Sequence, residues 1–116
     1  MNQRSGNRVA FGYVRVSSEE QLEGLSIESQ INKIKELCDQ RDYQLTLYRD
    51  EGISAYTDEV SKRPGFKKLL DAIPAQRPAA VVVYSLDRWS RSSVVSADSF
   101  RILGAYGVNF ISVTES

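Results

Sequence analysis

Arg8-Val9-Ala10-Phe11-Gly12-Tyr13-Val14-Arg15-Val16 is the stretch on which the fold turns. Val9, Phe11, Tyr13, Val14 and Val16 put bulk on both faces of an extended chain, where a strand with one wet face would alternate apolar with polar. A strand that is apolar on both sides must be covered on both sides, and helices supply that cover in a small α/β protein. The run ends in Tyr13-Val14-Arg15-Val16-Ser17, which sets a guanidinium and a hydroxyl two residues apart. Period two puts both side chains on one face, their Cα atoms roughly 6.5–7 Å apart.

The segments that follow keep the same logic. Met1 to Asn7 are polar and are expected to be disordered, leaving 8–116 as the folded domain. Ser26 is placed to cap a helix reaching about Arg41, because Ile27, Ile31, Ile34, Leu37 and Cys38 recur at helical spacing. Tyr43 to Tyr48 alternates as a strand does. The polar stretch Asp50 to Lys62 has no periodicity and reads as a mobile loop. Pro64 suits the first turn of a helix carrying Phe66, Leu69, Leu70 and Ile73. Ala79 to Leu86 reads as a buried strand, about Ser92 to Tyr106 as a helix stopped by Gly107, and Asn109 to Thr114 as a last strand. The order β-α-β-α-β-α-β predicts an α/β fold: a mainly parallel sheet of about four strands with helices on both faces.

Composition removes several functions. The chain has 116 residues, enough for one domain with a core of its own. Its 15 basic and 15 acidic residues leave no net charge, which argues against a free-standing nucleic-acid binder. Ten of the basic residues are arginines, however, and several crowd into short stretches. The single Cys38 excludes an intrachain disulfide and a cysteine zinc cage. With no histidine, a zinc or iron site would need carboxylates alone, and a Ser-His-Asp triad cannot be assembled within the chain. No metal and no cofactor is expected. No apolar run reaches membrane-spanning length and the N-terminus lacks a signal-peptide core, so a cytoplasmic location is expected.

Parallel strands bring their carboxyl ends to one rim, where ligands of such folds bind. The first strand brings Arg15 and Ser17 there. The second ends at Arg49 and Asp50 and opens the loop holding Ser54 and leading to Arg63. The third ends in Asp87-Arg88-Trp89-Ser90-Arg91, where a helix would put Arg88 and Arg91 on one face. Guanidinium forks around a serine suit a phosphodiester, which is anionic and gains charge in its transition state.

Each residue also has a plain reading. On position alone Ser17 is better explained as a cap or turn serine. Asp87 is placed to cap a helix beginning at Arg88, Arg88 and Arg91 can be solvated helix residues, and Arg63 can simply close a loop before Pro64. Lys67 and Lys68 read as a solvated face; Trp89, Tyr84 and Phe110 as packing; Cys38 as a buried thiol. Gln21 and Gln30 are weak signals alone.

Six segments together resemble the catalytic domain of the serine site-specific recombinases, the resolvase/invertase family, with the likeness greatest to its large serine integrase and transposase branch. They are Tyr13-Val14-Arg15-Val16-Ser17-Ser18-Glu19-Glu20-Gln21, Gly24-Leu25-Ser26-Ile27-Glu28-Ser29-Gln30, Asp50-Glu51-Gly52-Ile53-Ser54, Arg63-Pro64-Gly65-Phe66, Leu86-Asp87-Arg88-Trp89-Ser90-Arg91 and Gly107-Val108-Asn109-Phe110-Ile111-Ser112-Val113-Thr114-Glu115. They occur in family order over nearly the whole chain. The resemblance implies that Ser17 attacks a DNA phosphodiester, forming a 5′-phosphoserine link and releasing a 3′-hydroxyl. It implies that Arg15, Arg63, Arg88 and Arg91 bind and polarise the scissile phosphate, with Asp87 as the acidic partner and Gln21, Gln30 and Ser54 as supporting polar residues. Double-stranded DNA is the implied partner, worked on by paired dimers that form a tetramer without ATP. Ser18 stands where many relatives have Thr, and Trp89 where Leu or Phe is common.

The family continues beyond this point into a long dimerisation helix and DNA-binding domains, so residues 1–116 alone are expected to be mostly monomeric and inactive in recombination. A regulatory or nucleotide-binding α/β module is the competing function. It would need a glycine-rich phosphate loop where Val16-Ser17-Ser18-Glu19-Glu20 stands. A serine hydrolase would need a histidine and a Gly-x-Ser-x-Gly elbow.

Overall fold

The structure, a computed structural model, describes residues 8–16, 26–51, 63–90 and 93–115. Strand β1 (Val9–Val16) is flanked by β2 (Gln44–Glu51) and β3 (Ala80–Val83), and β4 (Asn109–Ser112) lies beyond β3. Every pairing in this four-stranded sheet is parallel. Parallel neighbours require crossovers, and helices provide them: α1 (Ile27–Gln40), α2 (Pro64–Gln76), and the one-turn α3 (Leu86–Trp89) followed by α4 (Ser93–Ala105).

The two-sided pattern of β1 works as its residues require. Ala10, Val14 and Val82 turn to one face and pack against Ile27, Ile34, Leu37 and Cys38 of α1. Phe11, Tyr13, Val81 and Val83 turn to the other, against Phe66, Leu69 and Ile73 of α2, Trp89 of α3 and Leu103 of α4. Ser26 caps α1, its Oγ accepting the Ser29 N–H at 3.1 Å. Gly107, at φ +68°, ends α4 in the left-handed region that costs glycine least. Trp89 is completely buried in a chain of edge-to-face rings, 4.6 Å from Phe66 and 5.4 Å from Phe110, and its indole N–H donates to Ser99 Oγ at 2.9 Å. Cys38 is likewise buried, while Lys67 and Lys68 face solvent.

Several boundaries differ from the sequence reading. β2 runs to Glu51, because its pairing with β1 continues through Arg15↔Asp50 and Val16↔Glu51; Asp50 and Glu51 therefore belong to the sheet and not to a loop. β3 stops at Val83, the last residue paired with β1, and the chain bends through Tyr84 and Ser85 into α3, leaving Leu86 45% exposed. The predicted third helix is α4, which begins at Ser93; the one-turn α3 precedes it where the strand was expected to end, and stops at Trp89 because Ser90 is extended (φ −165°, ψ 142°). β4 is shorter, with turns at 113–115. The expected disorder of residues 1–7 and the expected loop over 52–62 lie outside the described residues. Among the described residues, no helix is long and apolar enough to cross a membrane.

Candidate active site at the carboxyl ends of the strands

At the end of β1 the chain is gripped from three directions. Arg15, 2% exposed, directs Nη2 to the Asp87 carbonyl oxygen at 2.5 Å. Arg88, also buried, returns the contact by donating Nη1 to the Arg15 carbonyl at 3.4 Å. Gln30 of α1, fully buried, donates Nε2 to that same carbonyl at 3.1 Å from the opposite face of the sheet. The peptide after Arg15, one residue before Ser17, is held between α1 and α3. Among the described residues, the buried Gln30 Oε1 has no hydrogen-bond partner.

Asp87 does not cap a helix, contrary to its isolated reading. Ser85 occupies the cap position, and Asp87 stands in the first turn, accepting from Ser85 Oγ and placing Oδ2 3.9 Å from Arg88 Nη2. Arg88 lies in α3, which ends at Trp89; Arg91, expected to share a helical face with it, is outside the described residues. Glu115 fastens α3 to the end of β4. It accepts from Ser112 and Thr114 hydroxyls and from the Leu86 N–H at 3.2 Å. Those hydrogen bonds, the one from Ser112 foremost, hold its carboxyl below the usual carboxylate range.

Beneath this rim lies a second polar group. Asp50, 4% exposed at the end of β2, accepts the first amides of α2: Gly65 N–H to Oδ1 at 2.8 Å and Phe66 N–H to Oδ2 at 3.0 Å. A carboxylate there satisfies orphan helix donors and meets the positive end of the helix dipole. Gly65 makes the approach possible, because a Cβ at this position would stand 2.4 Å from the Arg49 carbonyl oxygen. Tyr13 donates its hydroxyl proton to Asp50 Oδ2 at 2.6 Å. Arg63, with no exposed surface, donates Nε and Nη2 to the Tyr13 oxygen at 3.3 and 3.1 Å. Burial above all, and the bond to Asp50, push the Tyr13 phenol far above its ordinary pKa despite the pull of Arg63. Tyr13 therefore stays a protonated donor at any working pH.

The rim thus unites Arg15, Gln30, Arg63, Asp87 and Arg88 of the residues expected from sequence. Ser17, Gln21, Ser54 and Arg91 lie outside the described residues. Asp50 and Tyr13 had not been singled out as site residues. Parity offered a signal for Tyr13, which shares its face with Arg15 and Ser17, and position offered one for Asp50, an acid at a strand end. Three guanidinium groups, those of Arg15, Arg63 and Arg88, gather here beside the carboxylates of Asp50, Asp87 and Glu115. Among the described residues, no group of three His, Cys, Asp or Glu side chains could hold a metal ion.

This arrangement of strands is that of a known family. The model of the resolvase N-terminal domain matches residues 10–116, and the chain belongs to the resolvase family as a catalytic domain of the site-specific recombinase type. Its structure is similar to that of the N-terminal catalytic domain of TP901-1 integrase, at 30% identity and a TM-score of 0.74 over 92% of this chain and 78% of that one. It is similar also to a resolvase family site-specific recombinase from Streptococcus pneumoniae, at 30% identity and a TM-score of 0.75 over 91% of this chain and 72% of that one. The C-terminal catalytic domain of ISC1926 TnpA, an IS607-like serine recombinase, shares the fold at 24% identity, with a TM-score of 0.72 over 92% of this chain and 70% of that one. A comparison with curated protein sequences gives no significant match.

Proposed function

We propose that this domain cuts and rejoins double-stranded DNA through a phosphoserine intermediate. Ser17 Oγ attacks the scissile phosphorus; the Oγ–P bond forms, the bond from phosphorus to the 3′ oxygen breaks, the serine gives up its proton and the 3′ oxygen takes one up. The phosphoester keeps the bond energy, so religation reverses the step without ATP and without a cofactor. Arg15, Arg88 and Arg91 offer guanidinium groups to the phosphate oxygens, with Arg63 beside them and Asp87 as the acidic partner that orients Arg88. Gln30, Gln21 and Ser54 support the site. Dimers paired into a tetramer perform strand exchange in the complete protein, in the cytoplasm, on a chromosome or mobile element.

The observation that carries this reading is the meeting of Arg15, Arg88 and Asp87 at the end of β1, two residues before Ser17. Preorganised donors of this kind stabilise charge that develops in a transition state. The test is covalent trapping on the protein's own recombination site, in the complete recombinase. The native protein is expected to yield a 5′-linked protein–DNA adduct and Ser17→Ala none; an adduct from Ser17→Ala overturns the assignment. Arg91→Ala is expected to bind DNA yet cut it poorly.

A further inference from the structure

Arg63 and Tyr13 form buried machinery that direct contact with a phosphate does not explain. The Arg63 guanidinium lies over the Phe66 ring, 3.9 Å from its centroid, and has no exposed surface. Besides Tyr13, its Nη2 reaches two main-chain carbonyls, Trp89 at 2.5 Å and Arg88 at 3.5 Å. Those carbonyls end α3, a single turn whose last C=O groups lack helical partners. Arg63 supplies donors to them from below, while Arg15 holds the Asp87 carbonyl from the β1 side. The backbone bearing Asp87 and Arg88, and leading through the extended Ser90 to Arg91, is therefore clamped by arginine–carbonyl bonds.

Tyr13 determines where that clamp sits. Its oxygen accepts two N–H groups from Arg63, and its proton is committed to Asp50, which is itself fixed by two α2 amides. A chain of hydrogen bonds thus runs from the start of α2 through Asp50, Tyr13 and Arg63 to the end of α3. Fixed supports of this kind matter because a small displacement of a reacting or charge-stabilising group is costly to rate.

We propose that Arg63 and Tyr13 are positioning residues, which set α3 and thereby the arginines it carries and leads to, and that Arg63 does not grip the scissile phosphate. The proposal rests on the phosphoserine reading above. A neutral methylphosphonate at the scissile position separates the two roles. An arginine whose work is to neutralise a phosphate oxygen becomes less necessary when that oxygen is replaced by methyl, and a positioning arginine does not.

The experiment measures adduct formation by the complete recombinase on phosphodiester and methylphosphonate sites. The variants are Arg63→Met, which keeps an apolar stem against Phe66, Tyr13→Phe and Arg88→Ala. Arg63→Met is expected to slow adduct formation on the order of 100-fold and Tyr13→Phe about tenfold, each by the same factor on both substrates and with DNA affinity unchanged. Arg88→Ala is expected to lose much less on the methylphosphonate. Recovery of Arg63→Met on the neutral site, as for Arg88→Ala, overturns the proposal, and so does a native rate in Tyr13→Phe. Should Arg63→Met not fold, Tyr13→Phe keeps the ring packing and carries the test alone. Absence of a Ser17 adduct from the native protein on its phosphodiester site instead overturns the phosphoserine reading on which the proposal stands.

Discussion

The two faces of the sheet are built of different material, although the same strand supplies both. On the α1 side, Ala10, Val14, Ile34, Leu37 and Cys38 form a largely dry, aliphatic layer whose one buried polar side chain from α1 is Gln30, at the rim. On the α2–α4 side, aromatic rings surround a buried ionic chain, Asp50–Tyr13–Arg63, that ends on the backbone of α3. An aliphatic layer is held by burial and tolerates small changes of shape. A buried ionic chain is held only if every member keeps its partners, so it fixes geometry as well as the fold. The face that carries the chain is the one from which Arg15 and Arg88 meet at the rim. The fold therefore places its more exacting packing directly under its candidate chemistry.

The largest test of that contrast is Asp50→Ala. It strips acceptors from the Gly65 and Phe66 amides and from the Tyr13 hydroxyl, the group that receives Arg63. We expect a loss of about 3–5 kcal/mol in urea unfolding, from three buried donors left unsatisfied at about 1–3 kcal/mol each. A loss below about 1 kcal/mol would mean that the chain is solvated and the contrast false. The matching change on the aliphatic face is Ile34→Val, which removes one methylene from a fully buried side chain. Its expected cost is about 0.5–1.5 kcal/mol, with adduct formation at the native rate. A large loss of rate from Ile34→Val would show that the aliphatic face also governs the site.

The aliphatic face was also the more legible in the sequence. The helical spacing of Ile27, Ile34, Leu37 and Cys38 and the Ser26 cap identify α1 to within a residue, since each signal is local. Both faces of β1 could be read from its own residues for the same reason. The ionic chain is different in kind. Asp50 caps a helix that starts beyond residue 62, and only the parallel register Arg15↔Asp50 brings the strand end to the Gly65 amide. Nothing local tells Arg63 to turn inward; the neighbours that receive it come from β1 and α3, 50 and 26 positions away. The start of α3 is likewise hidden, because the strand pattern runs on to Leu86 and no glycine or proline between Tyr84 and Gly104 announces the turn. The resemblance to recombinases assigned all four arginines, Arg63 among them, to the scissile phosphate, and nothing local set Arg63 apart.

The smallest expected effect is nil at neutral pH and separates the faces by titration. Burial, helped by Asp39, raises the Cys38 thiol on the α1 side, and burial most of all raises the Tyr13 phenol on the other. In both cases the unfolded chain loses its proton at lower pH than the folded one does. Stability is then complete below the unfolded pKa and falls as pH rises above it. The decline begins at about 8.5 for the thiol and at about 10 for the phenol. Tyr48, also raised by burial, adds to the second range. Urea midpoints measured across alkaline pH should therefore fall in two stages. Cys38→Ala should abolish the first, and Tyr13→Phe should shrink the second while Tyr48 preserves part of it. If Cys38→Ala leaves the first stage intact, the thiol meets solvent and the α1 face is not the dry layer that the contrast requires. If Tyr13→Phe leaves the second stage intact, the phenol is not the buried donor on which the position of Arg63 depends.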